Sequence, residues 1–343
     1  MDTLYIDTSI FESNNFFESH RINHLYKLAR KEKIKVIIPE LTYDEIKSRL
    51  HLNIKSSIER FNKYRTDTRV LRNIPSIKNQ FEDIDLAAIL IESEKRLQET
   101  FSEAKFYIIQ YPELNIGDIF RQYFNQDFPF GSGKKKNEFP DAFALSSIEK
   151  WAIENKTKVI LFSKDNDLLN YKSENLIIHE DFDEYINDKI REDEENEAAI
   201  KRVDQFIEHE PHDILLNISE WVKNQLDDIS HYYDFTNYLE IHDLDISEVN
   251  SEIVDYEIME FDQEYIAVQF KILVSFRVEL TIDDEDYMIK DDDTKDWIFL
   301  GTTLKTYEDS MYIDMNVIFY PFGEEDQMDM FIEEINHGQK LII

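Results

Sequence analysis

Short apolar runs alternate with stretches of helical spacing in the first half of this chain. The runs are bounded by charged residues or proline and are too short to be buried helices, which is typical of buried strands. The candidate strands are Leu4–Ile6, Lys35–Pro39 and Lys158–Phe162. Helical spacing covers residues 18–31, 85–101 and 139–155, and residues 50–125 contain several helical patterns. Strands that alternate with helices predict a parallel sheet with right-handed crossovers.

The second half follows a different period. From Ile266 to Ile282 every even position is apolar and most odd positions are polar, which predicts strands with one buried face. Similar signals occur in residues 253–261, 297–307 and 313–319, whereas residues 203–239 have helical spacing. We therefore predict an α/β class protein with a parallel-sheet domain, followed by a smaller α+β domain with an antiparallel sheet.

The predicted organisation has three parts. Residues 1–190 form the parallel-sheet domain, in which residues 50–137 are a mostly helical insertion or lid. Residues 191–240 form an acidic helical connector, and residues 241–343 form an antiparallel β-rich domain to which the sequence assigns no role. A chain of 343 residues is long enough for two domains with hydrophobic cores.

Composition removes several classes of function. The chain has no cysteine, which excludes disulfides and cysteine-ligated metals. The first residues do not resemble a secretory signal, and no apolar run approaches the roughly 20 residues that span a bilayer. We therefore expect a cytoplasmic protein with no membrane partner.

The formal charge of −35 argues against a nucleic-acid partner only when it is averaged over the chain. Residues 1–150 carry 23 Lys+Arg and 23 Asp+Glu, and residues 151–343 carry the other 15 and 50. Basic residues concentrate between Lys47 and Arg72 and in the run Lys134, Lys135 and Lys136. A solvated helix face and a solubilising loop explain these clusters as well as a polyanion surface does. The loop lacks the spacing of a phosphate-binding P-loop, so we exclude a nucleotide site there.

Four acids lie where a parallel sheet would gather them, and each has an ordinary explanation. Asp7 precedes a turn, and Asp141 lies in a first helical turn. Glu45 completes a capping box that begins at Thr42, and Asp165 can cap the next helix. Four carboxylates at one rim would repel one another strongly unless a cation were bound. Their occurrence together therefore favours a shared cation site over four separate structural roles.

The residues around these acids resemble the PIN-domain nuclease family over residues 1–190. The matching stretches are Tyr5–Ser9, Ile38–Glu45, Phe139–Ala144 and Ile160–Leu168. The resemblance implies that Asp7, Glu45, Asp141 and Asp165 are catalytic metal ligands for Mg²⁺ or Mn²⁺, with Asp167 as a further ligand. Ser163 lies where the family usually has Ser or Thr, and we expect it and Thr8 to bind substrate. Charge would let Lys134, Lys135, Lys136, Lys47 and Arg49 hold the nucleic-acid backbone. Asp44 leaves the helix acid ambiguous by one position, and its direction about 100° away favours Glu45.

The resemblance implies a metal-dependent endonuclease that hydrolyses phosphodiester bonds, with RNA favoured over DNA. A toxin-like or defence effector is compatible with this activity. The alternatives are a catalytically silent PIN-like interaction module and a structure-specific DNA nuclease. The acidic second half would bind a protein partner, self-associate or inhibit the basic surfaces. Its acidic runs at 283–286 and 291–293 lack the spacing of a calcium-binding EF-hand and predict hairpin turns.

Overall fold

In the computed structural model the chain divides into two compact units, Met1–Ile186 and Asn187–Ile343. The boundary predicted at residue 240 stays a prediction. The structure describes residues 1–77, 81, 84–111, 114–130, 138–165, 168, 170–179, 181–193, 196–225, 241–290, 297–321 and 328–339. No helix among these residues is long and apolar enough to cross a membrane.

A five-stranded parallel sheet organises the first unit. Its spatial order is β3-β2-β1-β4-β5, so the chain moves outwards on one side of β1 before it crosses to the other. The strands are β1 (Asp2–Ile6), β2 (Ile34–Pro39), β3 (Tyr107–Ile109), β4 (Val159–Phe162) and β5 (Leu176–His179). The parallel sheet and the antiparallel sheet of the second unit confirm the predicted α/β fold class.

Helices connect the strands and cover the sheet. They are α1 (Thr8–Ser13), α2 (His20–Arg30), α3 (Glu40–Asp67), α4 (Leu86–Glu103), α5 (Ile116–Asn125) and α6 (Phe139–Asn155). The central strands are mostly apolar because both faces of a parallel sheet are buried. Leu4, Ile38 and Leu161 are all fully buried at the centre of the first unit.

Two strands lie outside the elements that the sequence predicted. β3 occurs within residues 50–137, which were predicted to be mostly helical, and it pairs with β2 so that Ile37 lies opposite Tyr107. β5 pairs with β4 at the other edge of the sheet. The long segment between α3 and α6 therefore supplies an edge strand as well as helices.

The second unit contains a four-stranded antiparallel sheet with the order β11-β10-β7-β6. The strands are β6 (Ile241–Phe261), β7 (Ile266–Asp283), β10 (Thr302–Tyr320) and β11 (Asp329–Ile335), and a separate ribbon pairs β8 (Met288–Lys290) with β9 (Trp297–Phe299). Every even position of β7 from Ile266 to Ile282 is buried, as the alternation predicts.

The helices of this unit differ in part from the predicted pattern. α7 (Phe182–Arg191) contains the division between the two units, and α8 (Glu197–His209) and α9 (His212–Gln225) follow it. The helical pattern predicted over residues 203–239 is thus interrupted after His209, and residues 226–240 lie outside the described part. The strand predicted over residues 297–307 is also interrupted, between β9 and β10.

Candidate active site

The ends of β1 and β4 bring Asp7 and Asp165 to one rim of the parallel sheet. Asp7 directly follows β1, and its backbone N–H donates to the carbonyl oxygen of Phe162, the last residue of β4, at 3.0 Å. Asp165 follows β4 by three residues. The strand order reverses beside β1, and α/β proteins bind ligands outside the carboxyl ends of strands at such a position.

Two serines hold the carboxylate of Asp7. Its Oδ2 accepts hydrogen bonds from Ser9 N at 3.1 Å, from Ser9 Oγ at 2.5 Å and from Ser163 Oγ at 3.1 Å. Both hydroxyls also accept from the backbone of the loop after β4, Ser9 from Lys164 N across the rim and Ser163 from Asp165 N within its own loop. Asp7 also caps α1, so its ordinary role as a turn residue and its place at the rim coexist.

The capping box predicted at the start of α3 is wrong. The helix begins at Glu40 directly after Pro39, so Thr42 and Glu45 both lie inside it. The buried hydroxyl of Thr42 instead lies 3.2 Å from the hydroxyl of Tyr5 on β1. This contact joins the helix to the central strand, and Glu45 is free of the capping role that the sequence allowed.

Glu45 lies close to Asp7. Burial raises the pKa of Glu45, and the charge of Asp7 raises it further. Arg49, at 3.7 Å, and the hydroxyl of Thr8 act in the opposite direction and lower that pKa. The neighbouring Asp44 makes different contacts, because its carboxylate lies 3.4 Å from Lys47 Nζ and accepts a hydrogen bond from Tyr111 Oη at 3.1 Å.

The pKa of Asp141 is the most direct sign that these acids share one site. Burial, then the charges of Asp7, Glu45 and Asp165, raise its pKa from 3.8 to about 7. Asp141 lies in the first turn of α6, where the helix dipole favours the ionised form by about 0.3–1 kcal/mol. The shift has the opposite sign, so burial and repulsion across the site outweigh the dipole that the sequence offered as an explanation.

The four acids line a single cleft of about 850 Å³. The acidic lining residues are Asp7, Glu12, Asp44, Glu45, Glu138, Asp141 and Asp165, and Arg49 is the basic one. Thr8 also lines this cleft, whereas Lys47 lines a neighbouring groove. Ser163 is 1% exposed behind Asp7, so its described contacts position that acid instead of reaching a substrate. Lys134, Lys135, Lys136 and Asp167 lie outside the described residues.

The donor set suits a hard divalent cation. Carboxylate oxygens are the ligands that Mg²⁺ and Mn²⁺ prefer, and mutual repulsion in the cleft is the energy that a bound cation relieves. As the side chains are placed, no group of three or more Asp, Glu or His residues within the described part of the chain is gathered closely enough to hold a metal ion. Metal binding would therefore require side chains in the cleft to turn towards one another.

Sequence reasoning missed three residues that support this site. Ser9 holds Asp7 and the backbone of Lys164, and the pair Tyr5 and Thr42 fixes α3 to β1. Ser9 stands two residues after Asp7, so its adjacency to a predicted ligand was an available signal. Tyr5 and Thr42 lie 37 residues apart in the sequence, and no local pattern indicates their contact.

Comparison with known families agrees with this geometry. Residues 4–168 match the family model of the PIN domain, a span that includes all four acids. No curated protein and no solved structure matches the chain. The PIN domain is a nuclease-type fold, its nucleases act on nucleic acids, and the family generally uses divalent metal ions. The match over residues 4–168 identifies a PIN domain in this part of the chain, in agreement with the resemblance that the sequence indicated.

Proposed function

We propose that this protein is a Mg²⁺- or Mn²⁺-dependent endoribonuclease. The observation that carries the proposal is the electrostatic coupling of four carboxylates in one cleft, which raises the pKa of Asp141 to about 7. A cluster that repels itself costs folding energy, so its presence favours a role that needs the charges. The PIN-domain match over residues 4–168, a span that includes these acids, supports the same role.

Asp7, Glu45, Asp141 and Asp165 would hold the cation, and Asp167 is a proposed further ligand. When bound, a divalent cation stabilises negative charge in phosphodiester hydrolysis and activates the attacking water. Ser9 and Ser163 keep Asp7 in one orientation through its Oδ2 atom, so this ligand would need little rearrangement. Asp141 would release a proton on binding, because its pKa of about 7 leaves part of it protonated at neutral pH.

RNA is the proposed substrate because of the resemblance to PIN nucleases, and the basic side chains give it a surface. Arg49 lines the cleft and Lys47 the adjoining groove. The remaining basic residues extend along α3, whose end at Asp67 lies about 33 Å from Glu45 at 1.5 Å per residue. Those distant residues would contact the backbone far from the cleaved bond, and Lys134, Lys135 and Lys136 are proposed as further backbone contacts.

Labelled single-stranded RNA and DNA of the same sequence test this proposal. The wild-type protein should cleave RNA in Mg²⁺ or Mn²⁺ and should be inactive in EDTA. Asp7→Asn and Asp141→Asn should be inactive, whereas Asp118→Asn should retain activity, since Asp118 is an exposed first-turn acid of α5 outside the cleft. Equal cleavage by Asp7→Asn and wild type would refute the metal centre, and preferred cleavage of DNA would refute the choice of substrate.

A catalytically silent interaction module is the second candidate. One observation favours it, because the acids of the cleft are not gathered at metal-ligand distance among the described residues. Calorimetric titration with Mg²⁺ and Mn²⁺ separates the two functions. The nuclease requires binding that Asp141→Asn weakens, and the silent module requires that neither cation binds.

The second unit is proposed to contact protein instead of nucleic acid. Residues 1–186 carry 27 Lys+Arg and 31 Asp+Glu, a net charge of −4, and residues 187–343 carry 11 and 42, a net charge of −31. Its β8–β9 ribbon exposes Ile289 and Trp297, at 52% and 50%, as protein-binding surfaces often do. A protein partner, self-association or inhibition of the basic surfaces would use such a unit. Sedimentation of the wild type and of Trp297→Ser at several concentrations tests self-association, which predicts a lighter species for the variant.

A toxin-like or defence role would follow if the substrate is the RNA of the cell itself. Induced expression of the wild type would then arrest the growth of a host culture, whereas Asp7→Asn would not. Equal growth of both cultures would contradict that role and leave cleavage in vitro as a separate question.

A further inference from the structure

A second groove adjoins the carboxylate cleft. It has a volume of about 730 Å³ and lies between α3, α4 and the end of β3. Tyr43, Phe101 and Phe106 form an apolar lining, with ring centroids 5.7 Å apart for the first pair and 4.9 Å for the second. Lys47 and Lys95 line the same groove together with Glu40 and Glu94, so charged groups of both signs lie beside the aromatic rings. An apolar, aromatic surface with a few charged groups suits a nucleotide better than it suits a metal or a small anion.

Adjoining faces of α3 line the two cavities. Asp44, Glu45 and Ser48 line the cleft, and Glu40, Tyr43 and Lys47 line the groove. On a helix with 100° per residue, Glu40 and Asp44 lie side by side where the two faces meet. A chain molecule that leaves the cleft past Asp44 would therefore enter the groove.

Tyr111 stands at this junction. Its hydroxyl donates to Asp44 Oδ2 at 3.1 Å, and its backbone N–H donates to Glu40 Oε2 at 3.3 Å. Tyr111 is 62% exposed, although these two contacts fix it at both ends. Lys47 Nζ lies 3.4 Å from Asp44 Oδ1 on the same carboxylate. An exposed ion pair of this kind is weak, so a phosphate can compete for the ammonium group.

We propose that the groove binds the unpaired nucleotides next to the cleaved bond, with Tyr111 stacking on a base and Lys47 contacting a phosphate. The inference rests on the proposed nuclease function, since the cleft must hold the phosphodiester group. Aromatic rings stack on bases of any sequence, and cationic groups follow the backbone, so the groove selects single strands without reading their sequence. A double helix cannot present its stacked bases to Tyr111.

Tyr107, which lies on β3 four residues before Tyr111, supplies a matched control. It is 48% exposed, similar to Tyr111. Side chains alternate along a strand, so Tyr107 lies on the face of β3 opposite Ile108, which lines the groove. Its ring packs 6.1 Å from the ring of Trp151 on α6, away from the groove.

The test compares Tyr111→Ala, Tyr111→Phe and Tyr107→Ala in the full-length protein. Steady-state cleavage of single-stranded RNA is measured for oligonucleotides of about 4 to 12 nucleotides. These lengths lie within the range of about 4–16 nucleotides that single-strand binding sites cover. Tyr111→Ala should raise KM roughly 10-fold to 100-fold for the longer oligonucleotides, with little change in kcat, because one base–aromatic stack is lost. Tyr111→Phe retains the ring and should keep most of the affinity, and Tyr107→Ala should resemble the wild type.

The outcomes separate this inference from the proposed function. If the wild type cleaves RNA and Tyr111→Ala has the same KM, the nucleotide groove is overturned and the nuclease function stands. Occupancy of the groove by a protein segment would have the same consequence. An equal KM increase in Tyr111→Ala and Tyr107→Ala would also overturn it, because the effect would then come from the fold of β3. A wild type that neither cleaves nor binds RNA would overturn the proposed function itself. Thermal melting of each variant identifies loss of folding. If Tyr111→Ala does not fold, the KM values of the single variants Tyr111→Phe and Lys47→Gln are compared instead. A higher KM for Lys47→Gln supports the groove, and an equal KM overturns it.

Discussion

Replacing Asp141 with asparagine should make the metal-free protein more stable and abolish its cleavage activity. The carboxyl group is held near Asp7, Glu45 and Asp165, and burial and these charges raise its pKa to about 7. Asparagine has nearly the same shape and carries no charge. The substitution removes the repulsion in the cleft and also removes a proposed metal ligand, so stability and activity should change in opposite directions.

The pKa of Asp141 sets the size of this effect. A rise from 3.8 to about 7 is about 3 units, which at about 1.4 kcal/mol per unit corresponds to about 4 kcal/mol. Because water reaches part of the side chain, we expect a gain of about 2–4 kcal/mol in the free energy of unfolding above pH 7. The folded state keeps this proton to a higher pH than the unfolded state, so the stability of the wild type falls between about pH 4 and pH 7.

Calorimetric melting in EDTA at pH 5 and pH 8 measures the gain. For a unit of about this size, 1 kcal/mol shifts Tm by roughly 2–4 °C, so Asp141→Asn should melt about 4–16 °C higher than the wild type at pH 8. At pH 5 the gain should fall by more than half, since the wild-type carboxyl group is then protonated in the folded state. Added Mg²⁺ or Mn²⁺ should stabilise the wild type more than the variant.

Asp118→Asn is the matched control, because Asp118 is also a first-turn acid but is exposed and paired with Arg121. It should lose rather than gain stability, by less than about 1 kcal/mol. If Asp141→Asn is no more stable than the wild type at pH 8 in EDTA, the carboxylates do not repel one another and the reasoning that identified the cleft is refuted.

Two further substitutions test the residues that support the site. Ser9→Ala removes the 2.5 Å hydrogen bond to Asp7, and we expect activity to fall about 10–100-fold while Tm changes little, as cleavage rates and melting will show. Thr42→Val leaves the buried hydroxyl of Tyr5 without its partner, and urea unfolding should show a loss of about 1–3 kcal/mol.

Both substitutions have controls within their own helices. Ser13→Ala in α1 removes a hydroxyl that bonds to Ile10 O and Asn14, away from the residues that line the cleft, and should leave activity unchanged. Thr66→Val in α3 removes an exposed hydroxyl and should cost less than Thr42→Val. Equal losses in a variant and its control would contradict the specific role of Ser9 or of Thr42.

The positions of Asp7 and Asp165 could be predicted because each follows an apolar run that has only one plausible structure. A short apolar run that is followed closely by an acid is typical of a buried strand, and parallel strands bring their carboxyl ends to the same rim. The sequence order of the elements then limits where Asp141 can lie, because α6 leads directly into β4. Local pattern and topology agree here, so the prediction needed no tertiary contact.

The edge strands could not be predicted in the same way. β3 is apolar but has only three residues, and Tyr107 is half-exposed, so the segment lacks both the length and the burial of a central strand. β5 similarly exposes Ile177. These strands are defined by pairing with β2 and β4, which is a tertiary effect. The groove and Tyr111 depend on β3 and were therefore invisible at the same time.

The start of α3 shows how two local signals can compete. Thr42 and Glu45 have the spacing of a capping box, but Pro39 ends β2 with a backbone φ of −56°, and the helix begins at the next residue. The buried contact between Thr42 and Tyr5 favours this earlier start, because the hydroxyl finds a partner in the core. Glu45 then falls one turn inside the helix and near Asp7, which the sequence left open.

The net charge of the whole chain describes neither the first unit nor the cleft within it. The first unit is nearly neutral, at −4, yet seven acids and one arginine line its cleft. A polyanion would be repelled from such a cleft until a cation reduces its charge. Binding of a cleavage-resistant RNA analogue by the wild type, measured by fluorescence anisotropy, should therefore strengthen when Mg²⁺ is added and weaken when the same ionic strength is supplied by K⁺, which only screens the backbone contacts. If Mg²⁺ and K⁺ weaken binding equally, the cleft does not take up a cation before RNA, and the basic residues of α3 alone hold the nucleic acid.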